Sequence, residues 1–244
     1  RDFLNWRACR TEEEHSMDAR PIGIFDSGLG GLTAVKEFNR ILPAEDVIYF
    51  GDTGRVPYGT RSDETILKYV RQDIRFLMSH DIKGIIIACG TASSVALDIV
   101  QKEFDIPIIG VLRPGAKEAA RVTKNGKIGV IATESTIESQ VYTEVIHSHK
   151  PNAQVLGKPC PLFVPLVEEG WLKDPVTVEV ANRYLEPLLE SGIDTLIMGC
   201  THYPLLRSTL RQIMGEKVNL VNPAYETARE LKALLERDGL NNDG

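Results

Sequence analysis

Strand-like and helix-like patterns alternate along almost the whole chain, and this narrows the fold more than any other feature. Short runs rich in Ile and Val read as strands: "PIGIFD" (21–26), "DVIYFGD" (46–52), "GIIIAC" (84–89), "IPIIGV" (106–111), "KIGVIAT" (127–133), "TLIMGC" (195–200) and "VNLVNP" (218–223). They are continuous rather than alternating, as suits strands covered on both faces. Between them the periodicity predicts helices over roughly 30–42, 61–80, 92–104, 114–124, 135–149, 175–190, 204–214 and 224–237. Asp174 and Pro175 supply an N-cap and a first-turn proline for one of these. This order predicts an α/β fold with mainly parallel sheets.

A faint repeat divides the chain. "IGIFDSGLGGLTAV" begins at Ile22, and Cys89 ends a strand-like run 67 positions later. "IGVIATESTIESQV" begins at Ile128, and Cys200 ends another run 72 positions later. Two similar α/β domains are expected, one from 17–112 plus 222–244 and the other from 113–221. Ligands of open α/β sheets bind beyond the carboxyl ends of the strands. Two such halves facing each other put one thiol on either side of a cleft, where an active site is expected. Residues 1–16 precede Met17, a candidate start, and are expected to have no role in the fold.

Composition excludes several classes. The 244 residues are 25% charged with a formal charge of −6, which does not fit a basic nucleic-acid footprint. No apolar run approaches the roughly 20 residues that span a bilayer. The first residues lack an apolar core and carry Glu12, Glu13 and Glu14, so no secretory signal is expected. Cys9, Cys89, Cys160 and Cys200 form no Cys-x-x-Cys pair, which disfavours a zinc ribbon or thioredoxin-type site. Reduced thiols in a cytoplasmic protein are the expectation.

Four stretches besides "GIIIACGTASS" could carry chemistry. In "FDSGLGGLTAV", Gly28, Gly30 and Gly31 lie between a strand and a helix, where backbone N–H groups can receive an anion. The stretch matches neither the dinucleotide nor the P-loop pattern, but a carboxylate could use the same donors. Asp26 and Ser27 stand at its mouth, and Asp26 reads equally as a turn or cap residue. "FGDTGRVPYGTRS" offers Asp52, Thr53, Tyr58 and Gly59 on a loop. In "CPLFVPLVEEGW", Glu168 and Glu169 read by default as surface residues. "GCTHYP" is the most specific stretch, because His202 lies two residues from Cys200 and can stabilise a thiolate or relay its proton. A helix from 204 would add positive potential. His202 reads otherwise as a core histidine, and a metal is disfavoured for want of a third ligand.

Two thiols without a disulfide suit proton exchange on both faces of one carbon. Racemisation at an amino-acid Cα needs a base on one face and an acid on the other. A free thiol, with pKa ~8.5, comes within range once neighbours lower it. Ser27, Thr91 and Thr201 suit carboxylates. Asp26, Asp52 and Glu168 suit an ammonium or can polarise the Cys and His groups.

Taken together and in order, "PIGIFDSGLGGLTAV", "YFGDTGRVPYGTRS", "IIIACGTASS", "CPLFVPLVEEG" and "LIMGCTHYPLL" strongly resemble the bacterial glutamate racemase family. The resemblance implies cofactor-independent interconversion of L- and D-glutamate, with no metal, in two α/β domains that commonly form homodimers. The D-isomer feeds peptidoglycan synthesis. It implies Cys89 and Cys200 as opposed bases, acting on the D- and L-isomers respectively. Asp26 and His202 assist their thiols, Glu168 lies on the Cys200 side, and Asp52 lines the pocket. Substrate contacts carry over to Asp26, Ser27, Tyr58, Gly59, Gly90, Thr91, Thr201 and His202. Gly90 is a departure, because the family usually has Asn there; a side-chain amide is lost and a backbone N–H remains.

Other readings stay open at this point. A relative acting on aspartate would differ in pocket depth. A redox enzyme would need the two sulfurs within disulfide reach. A binding protein would leave the thiols without a role. A pyridoxal enzyme is disfavoured because no lysine stands in a motif. If thiolates abstract a weakly acidic proton, a dry cleft that closes by hinge motion is expected.

Overall fold

The computed structural model describes residues 18–242. Two four-stranded sheets organise the chain, and every strand pair is parallel. The first has the order β2-β1-β3-β4, from β1 (Ile22–Asp26), β2 (Val47–Gly51), β3 (Gly84–Ile87) and β4 (Ile108–Gly110). The second has the order β6-β5-β7-β8, from β5 (Lys127–Ala132), β6 (Gln154–Pro159), β7 (Thr195–Met198) and β8 (Asn219–Val221). The alternation and the repeat are thus realised as two α/β domains of one topology.

The helices are α1 (Leu32–Ile41), α2 (Asp63–Met78), α3 (Gly90–Glu103), α4 (Leu112–Val122), α5 (Glu134–Glu138), α6 (Val141–His149), α7 (Phe163–Glu168), α8 (Pro175–Glu190), α9 (Arg207–Met214) and α10 (Pro223–Asp238). As the sequence indicates, α8 starts at Pro175, and Asp174 accepts the Val176 N–H at 2.8 Å.

Burial explains which runs became strands. Every residue of β1, β3 and β7 is buried, as continuous apolar runs require. Each buried Ile contributes roughly 1.5–3 kcal/mol. Ile24 and Ile86 of the first sheet share one core with Val130 and Ile197 of the second, filled by Phe38, Ala116, Ile146 and Leu231 from α1, α4, α6 and α10. The opposite face of the first sheet packs on α2 and α3 through Ile74 and Val100. That of the second packs on α8 and α9 through Leu185 and Leu210.

Three elements depart from expectation. β6, "QVLGKP", was not expected as a strand; it is a partly exposed edge that tolerates Lys158 and Pro159. Its pairing with β5, from Lys127↔Gln154 to Ala132↔Pro159, makes it a strand. The helix expected over 135–149 is two helices, broken at Gln140, whose φ of 57° is left-handed. The short α7 also lies outside the expected helices.

Lys83 ties the stretches around Asp18 and Leu240 to the first sheet. Its ammonium, almost fully buried, lies 2.5 Å from Glu45 Oε2 and donates to the carbonyls of Asp18 (2.8 Å) and Leu240 (3.2 Å). No helix among the described residues is long and apolar enough to cross a membrane.

Candidate active site

The two repeats share a register. Ile22 of β1 pairs with Gly84 of β3, and Ile128 of β5 pairs with Thr195 of β7. Cys89 lies five positions past Gly84, and Cys200 five past Thr195. The cysteines therefore stand at equivalent places beyond the carboxyl ends of equivalent strands. Both line one pocket, with about 440 Å³ of free space including its open mouth.

Of the residues singled out from sequence, the pocket brings together Ser27, Tyr58, Gly59, Cys89, Gly90 and Thr91 from one half. Glu168, Cys200, Thr201 and His202 line it from the other. Asp26 and Asp52 do not line it; they lie buried behind it. Residues 1–16 fall outside the described residues.

Cys89 is the N-cap of α3. Its sulfur accepts the Ala92 N–H at 3.4 Å and lies 3.5 Å from Ser27 Oγ. Burial pushes its thiol up to about 11, and the charge of Asp26 adds to this against the lowering by Ser27 and Ala92. Cys200 is also pushed well up, first by burial, against the lowering by the His202 backbone N–H. The expectation that neighbours lower both thiols is thus corrected, because removal from water outweighs the hydrogen bonds.

His202 couples Cys200 to Glu168. Nδ1 lies 3.7 Å from Cys200 Sγ, and Nε2 lies 3.1 Å from Glu168 Oε1. An ionised carboxylate only accepts, so Nε2 of a neutral ring carries the proton and Nδ1 is left to accept from the thiol. Glu168, though half exposed, is thus more than a surface glutamate. The helix expected from 204 begins as a 3-10 turn over Tyr203–Leu206, and α9 starts only at Arg207. Cys89, not Cys200, is the thiol at a helix N-terminus.

The glycine-rich loop serves a carboxylate, but an internal one. Asp26 Oδ2 accepts from Gly31 N at 2.8 Å and Gly28 N at 3.2 Å. The Gly28 and Gly31 donors are thus taken by Asp26, and the expectation that they receive a ligand anion is corrected for these two. Thr201 Oγ1 lies 3.3 Å from Asp26 Oδ1, joining the halves. Burial raises the pKa of Asp26, while His202 and the loop amides lower it.

Two more bonds cross between the halves. Thr33 Oγ1 donates to the Thr201 carbonyl at 2.7 Å, and Thr91 Oγ1 lies 2.9 Å from Thr133 Oγ1. Thr133 also lines the pocket and was missed from sequence; in the fold it is the N-cap of α5. The repeat held its signal: Ser27 and Thr133 each stand five residues past the Ile of their Ile-Gly start.

Behind the Tyr58–Gly59 turn lies a network that also escaped sequence reading. Tyr58 Oη donates toward Asp52 and lies 2.9 Å from Asp73 Oδ2. Arg55 bridges the two carboxylates, at 2.6 Å from Asp52 and 2.7 Å from Asp73. Asp52 thus anchors Tyr58 from behind. No cluster of three His, Cys, Asp or Glu placed to hold a metal occurs among the described residues.

Known proteins are similar to this chain in sequence and fold. The pattern of the Asp/Glu/hydantoin racemase family covers residues 22–231. A glutamate racemase from Geobacter metallireducens is 51% identical over 219 residues, 90% of this chain and 81% of that protein. The crystal structure of the glutamate racemase isoform RacE1 from Bacillus anthracis is similar with a TM-score of 0.89 at 41% identity, covering 92% of this chain and 85% of that one. A glutamate racemase from Francisella tularensis, crystallised with D-glutamate, gives 0.85 at 42% identity, covering 93% and 86%. The chain belongs to the Asp/Glu/hydantoin racemase family of isomerases.

Proposed function

We propose that this chain interconverts L- and D-glutamate by direct proton transfer, with Cys89 and Cys200 as the two bases. The observation that carries the reading is the placement of two free thiols at equivalent strand ends, lining one pocket from opposite halves. Glutamate as the substrate rests on the similarity to glutamate racemases, one of them crystallised with D-glutamate. The cleft between the domains is the active site in this reading.

One thiolate takes the Cα proton, and the opposite S–H delivers a proton to the other face. One proton leaves the carbon and one arrives, so the configuration inverts with no change in oxidation state. Both thiols rest protonated because burial raises them. The substrate ammonium brings the positive charge that favours a thiolate beside it. His202, backed by Glu168, takes the Cys200 proton, while Asp26 acts on both thiols through its charge. Ser27, Thr91, Thr201 and the backbone N–H of Gly90 hold carboxylates, and Tyr58–Gly59 closes one wall. The product D-glutamate serves peptidoglycan synthesis in the cytoplasm, and the working unit is a homodimer.

The test is incubation with L- and with D-glutamate in D₂O without cofactor, following optical rotation and Cα deuterium by NMR. Rotation decaying to zero from both sides, with deuterium at Cα, is expected. Racemisation of aspartate but not glutamate keeps the two-thiol chemistry and overturns the substrate. No reaction with either overturns the racemase reading.

A further inference from the structure

The first turn of α3 lies directly against the strand end that carries Cys200. A Cβ built on Gly90 would stand 2.5 Å from the Gly199 carbonyl oxygen, whereas ordinary contact begins at 3.4 Å. Backbone conformation does not demand glycine at Gly90, a helical residue without positive φ. The constraint is space. Gly90 follows Cys89 and Gly199 precedes Cys200, so the two backbones meet at the residues that carry the thiols.

A second, separate loop repeats the pattern. A Cβ on Gly30 would stand 2.5 Å from His202 Nδ1 and 2.6 Å from Thr201 Oγ1. A milder case is Gly59, where it would stand 3.1 Å from Thr133 Cβ.

We infer that Gly90 is a positioning residue that sets how closely the two halves, and with them Cys89 and Cys200, approach each other. Its role is steric: the absent side chain admits the Gly199 carbonyl. Any side chain at this position, the Asn of Gly90→Asn included, therefore separates the thiols. A shift of about 1 Å relieves the overlap at Gly90, and misplacement of that size can cost about a hundredfold in rate. The kinetic consequence rests on the racemase reading; the closure does not.

The experiment compares Gly90→Ala, Gly90→Asn and Gly59→Ala with the unaltered protein. Gly54→Ala, where no atom lies within 4 Å of the added Cβ, serves as the control. Racemisation of glutamate is followed with Cα-protiated and Cα-deuterated substrate. Iodoacetamide labelling of each cysteine is followed by mass spectrometry without substrate. Expected for both Gly90 variants are a tenfold or greater loss of kcat, a raised isotope effect, and severalfold faster labelling of Cys89 and Cys200. Cys160, fully buried in the core against which Cys200 packs and absent from the pocket lining, reports loosening of that core and should label no faster. Unchanged kcat and labelling in Gly90→Ala overturn the inference. If Cys160 also labels faster in that variant, Gly59→Ala decides: faster labelling of Cys89 and Cys200 alone supports it, and none overturns it. If the unaltered protein racemises nothing, the racemase reading fails, and the labelling pattern alone decides the closure.

Discussion

His202 Nε2 lies 3.1 Å from Glu168 Oε1, on the side of the ring away from Cys200. This bond fixes which ring nitrogen faces the thiol. Glu168→Gln keeps the size but can present an N–H to the ring, and the tautomer is no longer set. We expect kcat to fall about tenfold, less than the roughly hundredfold or more that a positioned acid–base group contributes, because Glu168 acts through His202 and is half exposed. An unchanged kcat would remove Glu168 from the relay.

Cys89→Ala and Cys200→Ala each remove one of the two proposed bases. Loss of turnover by more than about a hundredfold is expected for each. Far-UV circular dichroism should be unchanged, because each thiol sits at a strand end rather than inside a strand. A single variant with near-normal turnover would be fatal to the two-base mechanism.

Tyr58→Phe leaves Asp52 and Asp73 without the hydroxyl they share. Two buried acceptors then lose a donor, at a cost of about 1–3 kcal/mol. Thermal unfolding should show that loss. KM should rise more than kcat falls, because Tyr58 shapes the wall and reaches neither thiol among the described contacts.

Asp73 sits near 7 in the fold, raised from 3.8 chiefly by burial, with the Asp52 charge adding and the Tyr58 and Arg55 bonds opposing. The folded chain therefore holds this proton more tightly than the unfolded one. Between pH 4 and 7 the folded state carries more protons, so stability falls as pH rises through that window. The cost is absent below pH 4 and complete above pH 7. Melting temperatures of the unaltered protein should decline more steeply from pH 5 to 7.5, on the order of these bounds, than those of Asp73→Asn. Parallel curves would show that Asp73 does not titrate there.

The sheets and the paired thiols were legible because buried parallel strands need unbroken Ile and Val runs, and those runs stop at Cys89 and Cys200. β6 was not legible, because an edge strand owes its form to the partner beside it rather than to its own side chains. Asp73 was hidden for a related reason. Within "DETILKYVRQDIRFLM" it looks like one more solvated charge, and only the folding of the Tyr58 loop over α2 buries it. The glycine-rich loop was legible as an anion cradle, but not that the anion is Asp26 of the same strand. Glu168 and His202, 34 residues apart, could be joined only in space.

The shared register of Cys89 and Cys200 has one more consequence. Racemisation joins mirror images of equal free energy, so neither direction needs a thermodynamic push. In the proposed mechanism, two halves of the same strand order meet that demand by offering the same thiol from two sides. The two halves cannot be identical at the pocket, since glutamate, the proposed substrate, has unlike ends and must lie one way round. Their differences fall where divergence can orient it: Gly90 and Thr91 on one arm stand at the stations of Thr201 and His202 on the other. In that proposal symmetry supplies the chemistry, and its breaking supplies the grip.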